Sequence, residues 1–77
     1  MNLYLISQTE NNGYDTYDTA VVAAKDEDEA RNITPDGDWN TRYSTWCSSP
    51  SKVTVNLIGK ATAGTEPGII LASFNAG

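Results

Sequence analysis

A chain of 77 residues with one cysteine and no histidine forms no internal disulfide and assembles none of the usual zinc sets. A domain this small buries only roughly 60% of the surface its unfolded chain exposes, so with neither staple, self-association is a natural route to further burial. A formal net charge of -5 and a sequence pI near 4.2 exclude a chain that wraps nucleic-acid phosphates, and leave room for a basic protein partner.

The length implies one domain, residues 1–77. Its apolar runs fall short of the ~20 residues needed to span a bilayer. The start, MNLYLISQ, has neither the basic head nor the long apolar core of a secretion signal, so the expected location is the cytoplasm.

Asn2 to Gln8 reads as a strand with Leu3 and Leu5 on one face and Tyr4 and Ile6 on the other, which suits a central position. In the TENNG loop that follows, Asn12-Gly13 offers residues that accept positive φ and reverse the chain. Tyr14 to Ala24 is rich in Tyr, Thr and Val, as a second strand requires. Regular alternation there would put Tyr17, Thr19, Val21 and Ala23 on one face and Asp18, Ala20, Val22 and Ala24 on the other. The small alanines leave room for a helix to approach.

That helix is expected from Asp26. Asp26 caps the free backbone N–H groups, Glu29 sits three residues on as in a capping box, and Glu27 and Asp28 meet the positive end of the helix dipole. Ala30 and Ile33 form its short apolar stripe, and Pro35 prevents continuation. The polar stretch from Pro35 to Pro50 reads as a long connection with a short strand at Tyr43 to Cys47. Its Trp39, Tyr43 and Trp46 either fold back over the core or present a binding surface. Two more strands, Ser51 to Ala61 and Gly68 to Phe74, flank a turn rich in Gly, Thr and Ala. The order β-β-α-(short β)-β-β predicts an α+β fold: a small antiparallel sheet of four to five strands with one short helix on one face. One short helix cannot cover such a sheet, so the opposite face or an edge is open to a second copy, as a homodimer, or to another partner.

Little in the sequence points to catalysis. Cys47 has no base nearby in sequence, and a lone small cysteine is more often buried filler than a nucleophile. The lysines are scattered, and no glycine loop suits a phosphate. Asp36-Gly37-Asp38-Trp39-Asn40 begins like a calcium loop, but Thr41 stands where Gly is needed and Cys47 where Glu is needed, so turn chemistry explains it better. No catalytic residue, metal ligand or cofactor is assigned. The repeat Tyr14-Asp15-Thr16-Tyr17-Asp18-Thr19 has a period that sends the two tyrosines to opposite sides of a strand. It is either a loop running into a strand or a recognition surface.

The stretches MNLYLISQTENNGYDTYDTAVVAA, DEDEARNI and ILASFNAG, roughly half of the chain, resemble a group of small tailed-bacteriophage proteins that begin M-x-L-Y-L-I-S-Q. The group has no established activity. The strand-strand-helix start is also similar in outline to some anti-CRISPR proteins with a curved sheet around one helix. The resemblance implies a non-enzymatic, stoichiometric binder of a host protein, acting against a defence or nucleic-acid enzyme. Its expected contacts are Tyr14, Asp15, Tyr17, Asp18, Trp39, Tyr43 and Trp46, aromatics for burial and acids for a basic groove. Two alternatives stand beside it. One is an oligomer that sequesters a nucleotide-like ligand, with aromatics stacking a base and Arg42, Lys52 or Lys60 meeting phosphate. The other is a virion accessory.

Overall fold

The computed structural model describes residues 1–11, 13–35, 39 and 45–75. Four strands, β1 (Asn2–Ser7), β2 (Thr16–Ala24), β3 (Thr54–Lys60) and β4 (Gly68–Asn75), form one antiparallel sheet in the order β3-β1-β2-β4. A helix, α1 (Glu27–Arg31), and a 3-10 turn at Pro50–Lys52 lie between β2 and β3. The expected α+β architecture is therefore present, with four strands.

The strand order explains where the core sits. Each neighbouring pair is antiparallel, so β2 and β3 run parallel with β1 between them. Parallel strands cannot be joined by a tight turn and need a crossover connection. Residues 25–53 are that crossover, and they lay α1 and the Trp46 segment over one sheet face. The core beneath comprises Tyr4 and Ile6 of β1, Ala20, Val22 and Ala24 of β2, and Ala30, Trp46, Cys47 and Val53 of the crossover. Trp46, Ile6, Val22 and Cys47 are its largest fully buried side chains. Ala20 and Ala24 keep that face shallow enough for so short a helix to seat.

The ends of α1 follow the local code. Asp26 accepts the Glu29 N–H at 2.8 Å, while the Glu29 carboxylate reaches back to the Lys25 N–H at 2.9 Å, one residue earlier than the usual reciprocal cap. Arg31 pairs with Glu27 at 3.2 Å and donates to the Val53 carbonyl, tying the helix to the start of β3. The Asn32 N–H closes the last turn on the Glu29 carbonyl at 3.2 Å.

Several expectations need correction. Thr45 and Trp46 form a bend and Cys47 has no regular structure, so the described part of the expected Tyr43 to Cys47 strand is not a strand. A backbone pairing is nonetheless made there, from the Tyr17 N–H to the Thr45 carbonyl at 2.7 Å. Positive φ falls at Asp15 (59°), whose short polar side chain tolerates the left-handed region, and not at Gly13; Asn12 lies outside the described residues. β2 starts at Thr16, because Tyr14 and Asp15 form the turn.

Regular alternation fails at two register shifts, between Tyr17 and Thr19 and between Val21 and Val22. Asp18 is the extra residue of the first bulge, so Tyr17 packs against the core on the same side as Ala20 instead of sharing a face with Thr19. Ile70 is the extra residue of the second, which lets Ile69 join the core while Leu71 turns to the other face.

Candidate functional site

Residues opposite each other in adjacent strands project to the same side of a sheet. The register therefore defines the face that the described part of the crossover does not cover, in three rows: Asn56, Leu5, Val21 and Leu71; Thr54, Ser7, Thr19 and Ser73; and Gly59, Leu3, Ala23 and Gly68, where Ala23 is fully buried. No position in these rows carries a charge, in a chain whose net charge is -5. Among the described residues the acids other than Asp18 lie away from these rows: Glu10 and Asp15 before β2, Asp26, Glu27, Asp28 and Glu29 at α1, and Glu66 between β3 and β4. At the centre is a shallow hollow of about 150 Å³ lined by Leu5, Thr19, Ala20, Val21, Leu71, Ala72 and Ser73. Leu71 is 69% exposed, whereas Leu5 and Val21 are half-buried by their neighbours.

Asp18 stands at the rim of this hollow. The Ser73 hydroxyl, and then the Thr19 backbone and hydroxyl, hold its carboxyl below the usual range, so it is ionised at neutral pH. The hollow thus combines an apolar floor, two hydroxyls and one fixed negative charge. That combination fits an apolar side chain with a cation beside it.

A second feature is the loop between β1 and β2, fastened by Gln8. This side chain is buried, and its amide donates to the carbonyls of Asn11 and Tyr17, each at 2.8 Å, while its oxygen accepts the Asn11 N–H at 2.8 Å. The loop is also latched to the Trp46 segment. Asn11 donates to the Trp46 carbonyl at 3.1 Å, and Glu10 accepts the Ser48 N–H at 2.7 Å. The Ser48 bonds, helped by Lys52, hold the Glu10 carboxyl below its usual range.

The structure separates the seven residues expected to make contacts. Tyr14, 78% exposed, and Asp15 protrude together at the loop tip. Asp18 belongs to the hollow's rim, and Tyr17 packs on Phe74 with ring centroids 4.8 Å apart. Trp46, 1% exposed, and the half-buried Trp39 serve the core, so Trp46 offers no surface to a partner. Tyr43, the Arg42 assigned to phosphate, and most of the calcium-like stretch lie outside the described residues. Leu5, Thr19, Val21, Leu71 and Ser73 were not singled out from sequence. The signal for them was the run of strands apolar or uncharged on both faces, which a single short helix cannot cover.

The Cys47 thiol is fully buried, donates to the Ser49 carbonyl at 3.4 Å and is pushed up by burial, so at neutral pH it is protonated filler. Among the described residues no group of three or more His, Cys, Asp or Glu is placed to hold a metal ion, and no helix is long and apolar enough to cross a membrane. No protein-family model matches the chain, and neither a curated protein nor a solved structure matches it.

Proposed function

We propose that this chain is a non-enzymatic binding protein that occupies a surface of a host protein during bacteriophage infection, with a defence or nucleic-acid enzyme as the target class. The observation that carries the reading is the charge-free sheet face with the Leu5, Val21 and Leu71 hollow and Asp18 at its rim. An apolar surface without charge, on a chain otherwise rich in acid, is what a protein contact needs at its dry centre, with the acids left to complement a basic surround. Tyr14 and Asp15 at the loop tip are a secondary contact.

Sequestration of a nucleotide-like ligand has less behind it. The hollow is smaller than the roughly 300–1,000 Å³ of ordinary ligand pockets, and its lining holds no Lys or Arg. Lys52 and Lys60 stand at the two ends of the opposite edge strand.

The test is capture of a host protein by the tagged chain expressed in its host, compared with Thr19→Lys, which places a long cation in the hollow without touching the covered core. Retention of one host protein by the parent chain and its loss by at least roughly tenfold in Thr19→Lys is the expected result. Equal retention by both proteins would remove the sheet face from the contact.

A further inference from the structure

Among the described residues β4 is an edge strand, hydrogen-bonded to β2 and to no other strand. Among the described residues no backbone bond leaves its outer side. Such a row of free N–H and C=O groups is a template for another strand unless something blocks it. The two edges of this sheet differ in that respect. β3 carries Lys60 at one end, is preceded by Pro50 and Lys52 at the other, and is broken by a bulge at Ile58. β4, GIILASFN, has no charge and no proline, and beyond its bulge at Ile70 the segment from Leu71 onward is unbroken on its outer side. It also displays Ile70 at 53%, Leu71 at 69% and Phe74 at 47% exposure.

We propose that β4 pairs antiparallel with β4 of a second copy, joining two four-stranded sheets into one of eight strands. Charge selects the occupant. At the loop before β2 and at α1 a second chain with the same net charge of -5 would bring acid against acid, but along β4 two copies meet with no charged side chain on either strand, the nearest acid being Asp18 of β2 on the Ser73 hydroxyl. A basic partner would find nothing to pair with on this strand. The two-fold axis stands normal to the sheet, so Ile70, Leu71 and Phe74 of one copy meet the same trio of the other, as an isologous interface requires. Both helices then fall on one side, and the two charge-free faces merge on the other.

The three side chains contribute on the order of 300 Å² per copy, and with the strand backbones the total is on the order of 1,000 Å², at the lower limit for a specific interface. The dimer is accordingly in concentration-dependent exchange with monomer. This inference does not rest on the proposed function, because β4 would pair whether or not the open face binds a host protein.

Sedimentation velocity from micromolar to millimolar chain is the experiment. The expected result is a shift from 8.3 kDa towards twice that mass. Ile70→Lys, which puts a cation on the edge in each copy, should weaken the dimer by roughly tenfold or more, while Leu57→Lys on the opposite edge and Thr19→Lys on the open face should leave it intact. A chain that stays monomeric throughout, or a dimer lost with Leu57→Lys or Thr19→Lys but retained with Ile70→Lys, overturns the proposal. Amide exchange of the parent chain reads the same contact without mutation: amides of β4 from Leu71 onward should exchange more slowly as concentration rises, and unchanged rates count against it. Failure of host capture in Thr19→Lys and failure of dimerisation in Ile70→Lys are separate outcomes on separate residues.

Discussion

The two faces of the sheet are built from the same four strands and have opposite fates. One is roofed because β2 and β3 run parallel and their connection must cross it, carrying α1, Trp46, Cys47 and Val53 over Ile6 and Val22. Among the described residues the other receives no such connection: β1 and β2 join at one end, and β3 joins β4 across the opposite end, where the Ala61 N–H donates to the Met1 carbonyl at 3.1 Å. Topology therefore decides which apolar residues become core and which become surface. Leu71 and Val22 are both strand aliphatics, and only the second lies beneath the crossover.

This contrast can be broken most severely from the roofed side. Trp46→Ala should cost about 3–5 kcal/mol, a large part of the roughly 5–15 kcal/mol that holds a domain folded, and chemical denaturation read by tyrosine and Trp39 fluorescence would show it. Next comes Gln8→Ala, which removes the three bonds this side chain makes to the Asn11 N–H and to the Asn11 and Tyr17 carbonyls. A loss of about 2–3 kcal/mol is expected in the same assay. Asp26→Ala removes the cap of α1 and should cost about 1 kcal/mol, with Asp26→Asn restoring most of it in thermal unfolding.

Smaller effects sharpen the comparison from the open side. Leu71→Ser should change stability by no more than about 0.5 kcal/mol, since a side chain already in water loses little by truncation; a loss as large as a core substitution would mean that this face is covered after all. The Glu10 latch should show itself through pH. A carboxyl lowered in the folded chain adds stability that is fully present above its unfolded value and is lost as pH falls through the folded one. The parent chain should therefore lose more stability in acid than Glu10→Gln, starting near pH 4–5, with the two alike in slope above it. Parallel curves down to strong acid would show that the Ser48 contact is not formed in solution.

Much of this architecture was legible in the chain. Asp26 with Glu29 named the helix start, Pro35 limited its end, and the alternation in VTVNLIG marked β3. What alternation could not reveal was where it breaks. Asp18 and Ile70 are the bulged residues, and neither is a glycine that would have signalled a bulge, so regular alternation groups Tyr17 with Thr19 and Ile69 with Leu71, pairs that the bulges split between the two faces. The candidate contacts were less legible for a related reason. An aromatic in a polar loop reads the same whether it covers a core or faces a partner, and for Trp46 only the crossover geometry decides. Gln8 was overlooked because one side chain satisfying three backbone groups has no pattern in sequence.

The strand order also bears on how the chain comes to be folded. β1 and β2, the first pair along the chain, are the two inner strands, and the partners that complete them come from residues 54–60 and 68–75. During synthesis a hairpin of apolar strands is thus available early with both flanks open, and it stays so until residues 54–75 leave the ribosome. The acids clustered in residues 15–29 lie beside that unfinished hairpin when it is most exposed, and their mutual repulsion would hold nascent copies apart until β3 and β4 close the sides.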